Sequence, residues 1–290
     1  MSQLVCENVS KSYKKKEVLH NINLTIEQGK IYGLIGRNGA GKTTLLSIMT
    51  AQNPASSGTV EYDDMKVWEN STALEHLCFS RELNTLSVLG PNTIKVKEYL
   101  MMARCYYPNW DREMEKRLVA QFGLNVKKKI CKLSKGMLSM VTIVVALASK
   151  ADITILDEPV AGLDVVARDD FYRLLLEEHE ATGRTFIVST HIIEEASNVF
   201  EEVIFLKEGE ILLKENTQDL LERAVHVSGM AEDVDRACAG LETYHAENIG
   251  RSKGVTVLLA PGQEMETDAA VTMQPVSLQN LFVALCGREA

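Results

Sequence analysis

The chain has 290 residues, 46% of them hydrophobic, and a formal charge of −9 at pH 7. That length and apolar fraction support one large domain, or one with a small appendage, and the acidic balance argues against a broad nucleic-acid surface. The longest apolar run, about Val141 to Ala148, is far shorter than the ~20 residues that cross a bilayer, and the N-terminus carries no signal pattern, so a soluble, cytoplasmic protein is expected.

The one dense basic run, Lys127-Lys128-Lys129, reads as a solvated helix end or loop rather than a nucleic-acid patch. Six cysteines (Cys6, Cys78, Cys105, Cys131, Cys238 and Cys286) form no C-x-x-C pair, which points to neither a zinc site nor a disulfide framework. They read as reduced thiols, mostly buried.

From about Leu4 to Ile35 the chain alternates or runs apolar between turn signals, with a hairpin-like break at Gln28-Gly29. This predicts an antiparallel β subdomain feeding the apolar strand Ile31-Tyr32-Gly33-Leu34-Ile35. A helix follows over Thr44-Leu45-Leu46-Ser47-Ile48-Met49, and Ser56-Ser57-Gly58 reads as a turn. From Asn92 to Ala148 the pattern is mostly helical, as for an inserted helical subdomain over about 83–148. Strands return at Ile153 to Leu156, Phe186 to Ser189 and Val203 to Leu206 with helices between, which predicts a largely parallel α/β sheet. The character shifts after about Lys214. The remaining residues, 216–290, suggest a small α+β accessory domain ending in a helix from Ser277, with Leu278, Leu281, Phe282 and Leu285 on one stripe.

The chemistry concentrates in Gly36-Arg37-Asn38-Gly39-Ala40-Gly41-Lys42-Thr43, a phosphate-binding loop with every constrained position filled. Its glycines let successive backbone N–H groups turn inward around a triphosphate. Lys42 then reaches the β- and γ-phosphates, the Thr43 hydroxyl ligates Mg²⁺, and the helix that includes Thr44 aims its positive end at the loop. A dinucleotide-binding fingerprint fits worse, because the G-x-G-x-x-G spacing is absent and that fold has no use for Lys42-Thr43. Downstream, Ile153-Thr154-Ile155-Leu156-Asp157-Glu158-Pro159 is an apolar strand ending in two carboxylates. Asp157 is placed to hold Mg²⁺ through water and Glu158 to act as general base on the attacking water.

With these motifs the chain resembles the nucleotide-binding subunit of an ABC transporter over roughly residues 3–215. Leu133-Ser134-Lys135-Gly136-Met137 lies 24 residues before Asp157, where that family carries its L-S-G-G-Q signature. No Asn-Lys-x-Asp guanine-reading motif is present. The resemblance assigns Asp164 in Ala161-Gly162-Leu163-Asp164 to the D-loop and His191 in Ser189-Thr190-His191 to the switch histidine that contacts the γ-phosphate. It also implies that two such domains pair head to tail, each ATP lying between one copy's P-loop and the other's signature helix. Ser134 and the Gly136 N–H at that helix start would cap the γ-phosphate. A single set of motifs therefore implies a homodimer, or pairing with a similar ATPase subunit.

Several positions depart from the family pattern. Lys135 replaces the first signature glycine and Met137 the glutamine. Glu82, after Cys78-Phe79-Ser80-Arg81, stands where the Q-loop glutamine would be, and reads either as a metal contact or as an exposed surface glutamate. Tyr13 falls where the family stacks an aromatic ring on adenine, ordinary strand packing being its other reading. The resemblance further implies a membrane-spanning transporter subunit on a separate chain, with this protein peripheral on the inner face of the cell membrane. Its docking surface would lie around Glu82 to Trp110, unless Tyr106, Tyr107 and Trp110 form the insert's own core. The form Leu-Ser-Lys-Gly-Met is similar to ATPases of small bacterial exporters of antimicrobial peptides or drugs. A soluble ATP-gated clamp acting in translation, repair or chromosome organisation is the alternative. Such relatives generally carry paired nucleotide domains, coiled-coil inserts or zinc-binding insertions that this sequence lacks. A regulatory subunit without turnover is disfavoured by the intact Glu158 and His191.

Overall fold

The computed structural model describes residues 2–14, 16–83, 94–265 and 270–287. In chain order, β1 (Gln3–Tyr13) and β2 (Lys16–Glu27) lead into β3 (Ile31–Gly36) and α1 (Lys42–Met49). They are followed by β4 (Ser57–Tyr62), β5 (Met65–Lys66), α2 (Ser71–Glu75) and β6 (Leu77–Arg81). Next come α3 (Val96–Tyr106), α4 (Arg112–Gln121), α5 (Lys135–Ala148) and β7 (Ile153–Asp157). The chain then forms α6 (Val165–Thr182), β8 (Thr185–Thr190), α7 (Ile193–Ala196), β9 (Glu202–Lys207) and β10 (Glu210–Asn216). It finishes with α8 (Thr217–Glu222), β11 (Ala224–Met230), α9 (Ala231–Ala237), β12 (Thr243–Ile249), β13 (Ser252–Leu258), β14 (Val271–Pro275) and α10 (Leu278–Cys286).

The central sheet runs β10-β9-β3-β8-β7-β6, all parallel except the β9–β10 pair. Its strand β3 is buried at every position, as expected of a strand covered on both faces. Ile31 and Ile35 join a core with α5 and α6 on one face, whereas Tyr32 and Leu34 join a second core with β1, β2 and α1 on the other. The parallel α/β centre and the antiparallel sheet β2-β1-β4-β5 match the expected fold class.

Two turn readings change. The break at Gln28-Gly29 is no hairpin: β2 and β3 belong to different sheets, and the Gly29 N–H donates to Thr185 Oγ1 at 2.8 Å beside the central one. A glycine break signals a change of direction but not which sheet the chain enters next. Ser57-Gly58 opens β4 instead of forming a turn. On β1, a bulge after Cys6 with Asn8 at φ +50° moves the buried set from Leu4 and Cys6 to Val9. Gly58, at φ +81°, fits against that bulge, since a Cβ there would lie 2.4 Å from the carbonyl oxygens of Glu7 and Asn8.

The helical stretch after β6 comprises α3, α4 and α5, and α5 also covers the central sheet. Ser80 of β6 donates to the Thr142 carbonyl at 3.0 Å, and Val144, Leu147 and Ala148 are buried in the core over the central sheet. Within the insert, Trp110 Nε1 donates to Glu115 Oε2 at 2.8 Å, and the Tyr107 and Trp110 rings stack with centroids 6.4 Å apart. Those two rings are half-buried packing, while Tyr106 remains exposed. Residues 84–93 of the anticipated docking surface lie outside the described residues.

The last four strands form the sheet β12-β13-β11-β14, with a small core of its own around Val227, Val234, Val255 and Val257. The final helix leaves that core. Leu278, Leu281 and Leu285 of α10 pack with Phe200, Val203 and Phe205, and Phe282 meets Phe205 edge-on at 5.3 Å.

Candidate nucleotide site

The loop between β3 and α1 is built for close approach. Gly39 and Gly41 take φ values of +83° and +109°, a region that favours glycine. Arg37, Asn38 and Gly39 form an exposed tip, while Ala40 is buried and Thr44 half-buried. Side chains cap the N-termini of α4, α5, α6 and α10, but none caps α1 at Gly41. Its first N–H groups are left for an anion to satisfy. The Lys42 side chain is only 7% exposed, donating from Nζ to the Gly36 carbonyl at 2.6 Å and lying 4.0 Å from Glu158 Oε1. Burial lowers its pKa below the ordinary lysine value, an effect opposed by the carboxylates of Glu158 and Asp157.

Those carboxylates arrive from β7. Thr43 Oγ1 donates to Asp157 Oδ2 at 2.7 Å, and Ser189 Oγ donates to Asp157 Oδ1. Register explains the second contact, because Asp157 and Ser189 are opposed in the parallel β7–β8 pair. The Glu158 N–H reaches both the Ser189 carbonyl and its Oγ at 3.1 Å, holding Glu158 at φ +52°. His191 Nδ1 lies 2.6 Å from Glu158 Oε2. Thr43, Gln52, Glu82, Asp157 and Glu158 line one open cleft of about 620 Å³. Sequence reasoning gave no role to Ser189 or Gln52. A serine ending the apolar strand beside the Asp157 strand was the available signal for the first.

Ser134, Gly136 and Asp164 belong to a second group, packed against itself at the starts of α5 and α6. Ser134 Oγ accepts from the Met137 N–H at 3.3 Å as the N-cap of α5, and Asp164 caps α6 by accepting from the Ala167 N–H at 2.9 Å. The two helix starts touch where Ser139 Oγ donates to the Ala161 carbonyl at 2.7 Å and where a Cβ on Gly136 would lie 2.6 Å from the Gly162 oxygen. Glu82 links the groups: it lines the cleft, and its Oε1 lies 3.4 Å from Lys135 Nζ. Tyr13 stands apart. Its exposed ring lies under Lys11 Nζ at 5.0 Å, and its hydroxyl accepts from Asn53 in the loop after α1.

The donor set suits a magnesium nucleotide. The Thr43 hydroxyl and Asp157 carboxylate are hard oxygen donors already in contact, beside a buried ammonium and an uncapped helix start. A phosphate loop between strand and helix, with carboxylates from the sheet aimed at it, defines the P-loop nucleoside triphosphatases.

Comparison with known proteins narrows the class. Residues 19–161 match the family model described as ABC transporter, and residues 129–197 match one described as "AAA domain, putative AbiEii toxin, Type IV TA system". The chain is 27% identical over 290 residues to the ABC transporter ATP-binding protein YtrB of Bacillus subtilis, covering 96% of each chain. It is 31% identical over 244 residues to the uncharacterized ABC transporter ATP-binding protein MJ1023 of Methanocaldococcus jannaschii, covering 81% of this chain and 80% of that one. A solved dimeric post-hydrolysis state of the ATP-binding cassette MJ0796 bound to ADP and Pi superposes with a TM-score of 0.64 at 25% identity, over 74% of this chain and 98% of that one. The chain belongs to the ABC transporter ATP-binding proteins, and it is an ATPase. Among the described residues no helix is long and apolar enough to cross a membrane.

Proposed function

We propose that this chain works as a head-to-tail pair of identical copies that closes on ATP and drives a membrane transporter of the export type. The observation that carries this reading is the division of the motifs. Thr43 of the P-loop, Asp157 and Glu158 line one cleft, with His191 against Glu158, while Ser134 and Gly136 sit at a separate helix start in contact with the Gly162 turn. A second copy, facing the other way, supplies what each half lacks.

The uncapped α1 N-terminus and Lys42 hold the β- and γ-phosphates, with Arg37 and Asn38 at the loop's exposed tip and Ala40 packed beneath it. Thr43 and Asp157 would hold Mg²⁺, whose charge would offset that of the phosphates. Glu158 takes the proton of the attacking water, and His191 fixes that carboxylate and faces the γ-phosphate. Tyr13 offers its open ring to adenine. Asp164 joins the closed site from the same turn that carries Gly162, and Ser134 with the Gly136 N–H caps the partner's γ-phosphate. Hydrolysis removes the shared γ-phosphate, and the pair opens.

In this reading residues 1–215 are the ATPase unit, with about 83–148 as helical subdomain, and 216–290 an accessory region whose last helix anchors in the ATPase core. The membrane subunit is a separate chain, and this protein sits on the inner face of the cell membrane. Met101, Met102 and Tyr106 on α3 are 54%, 47% and 58% exposed, an apolar patch suited to docking. Leu133-Ser134-Lys135-Gly136-Met137, with its likeness to the signature of small bacterial exporters, supports outward transport.

Affinity capture of the full chain from gently solubilised cells tests the assignment. It should retain an integral membrane protein and lose it when Met101, Met102 and Tyr106 are changed together to serine. Capture of ribosomes or DNA instead would place the chain with the soluble clamps.

A further inference from the structure

Two departures from the family pattern, an acid at Glu82 and a lysine at Lys135, face each other. Lys135 opens α5 directly after Ser134, and its stem lies across the Gly162 turn, where a Cβ would come 2.7 Å from its Cγ and 3.1 Å from its Cβ and Cδ. So pinned, the side chain delivers Nζ to 3.4 Å from Glu82 Oε1. Glu82, Asp157 and Glu158 put three carboxylates on the lining of one cleft. A triphosphate entering that cleft meets like charge from each of them. Lys42 lies beside Glu158, Asp157 is held by the hydroxyls of Thr43 and Ser189, and Glu82 is neutralised by Lys135.

We infer that Glu82 and Lys135 act as one matched unit, in which Lys135 is a positioning residue that neutralises Glu82 while the nucleotide site is open and releases it as the site closes. The inference rests on the ATPase reading above. Both side chains are about half exposed, at 52% and 54%, so their attraction is weak, screened by salt, and readily exchanged for a stronger partner. A fully buried pair would resist such exchange. On closure the carboxylate is freed toward the metal, and the ammonium, next to the Ser134 cap, toward the partner's phosphate. One lysine thereby ties the Q-loop position, the signature helix and the D-loop turn together. Neither substitution would be expected to work well alone: the acid without the lysine repels ATP, and the lysine without the acid has no resting partner.

The test uses five proteins: wild type, Glu82→Gln, Lys135→Gln, Lys135→Arg and the Glu82→Gln/Lys135→Gln double variant, each first melted to confirm folding. ATP affinity is measured by equilibrium fluorescence with and without Mg²⁺, at low salt and at about 0.5 M NaCl. Lys135→Gln should weaken Mg²⁺-free ATP binding about two- to fivefold at low salt, the range of an exposed pair. Adding Glu82→Gln should recover most of that loss, and Lys135→Arg should behave as wild type. High salt should shrink the coupling, and Mg²⁺ should narrow the difference between wild type and Lys135→Gln. Effects that simply add, or a coupling indifferent to salt, would overturn the matched-unit inference while leaving the ATPase reading standing. A wild-type chain that binds no ATP would overturn both.

Discussion

Glu158 Oε2 and His191 Nδ1 are 2.6 Å apart, and the glutamate that makes this contact is held in the left-handed backbone region at φ +52°. Such a conformation costs a bulky residue of order 1–2 kcal/mol, and the two contacts of the Glu158 N–H with Ser189 sustain it. Backbone strain therefore sets the direction of the carboxylate, and the histidine fixes its end. Glu158→Gln keeps the shape and removes the proposed base. ATP turnover by this variant should fall about 10²–10⁴-fold with nucleotide affinity retained, as read by phosphate release beside a binding titration. Wild-type turnover would move the base elsewhere.

Lys42→Ala should weaken ATP binding about 10- to 100-fold, the loss of a charge-assisted contact to phosphate. Because burial disfavours the Lys42 ammonium in the nucleotide-free chain, its removal should cost the fold little. A melting point near wild type together with lost affinity is the expected pair of results, and unchanged affinity would remove Lys42 from the phosphate site.

Leu281→Ala probes the junction between the accessory region and the ATPase core. Leu281 is fully buried among main-core residues although it lies near the end of the chain. Truncation should cost about 2–5 kcal/mol, measured from denaturant midpoints. A cost below about 1 kcal/mol would mean that α10 is only loosely seated.

Asp111 supplies a pH-dependent contribution. It caps α4 through the N–H groups of Met114 and Glu113 and lies 3.6 Å from Lys150, contacts that lower its pKa below the ordinary aspartate value, the Met114 hydrogen bond foremost. A carboxyl with a lowered folded-state pKa stabilises the fold above its unfolded value of about 3.9 and loses that contribution as pH falls through the lowered one. Asp111→Ala should therefore cost about 0.5–2 kcal/mol at pH 7, with the gap to wild type closing below about pH 4. A gap that persists at low pH would assign the effect to packing.

The chemistry was more legible than the assembly of the chain. Glycines, a lysine and carboxylates at fixed spacing are what phosphate binding needs, so the P-loop and Asp157-Glu158 could be proposed from sequence, and the structure brings Thr43, Asp157 and Glu158 onto one cleft. Which sheet follows Gln28-Gly29 was not readable, since a turn residue reports local dihedrals and not the neighbours of the next strand. The bulge at Asn8 hid for a related reason: its partner, Gly58, lies far along the chain. The return of α10 could not be foreseen from its apolar stripe, which shows that a face is buried but not against what. Likewise nothing local to Glu82 or Lys135 reports the other, which lies 3.4 Å away only in the folded chain.

The central claim is that two copies close around ATP, and sedimentation of the Glu158→Gln protein tests it most directly. With saturating ATP and Mg²⁺ the account predicts conversion from monomer to dimer, reversed by removing nucleotide and prevented by adding Lys42→Ala. A protein that binds ATP yet sediments as a monomer at every concentration examined would contradict it.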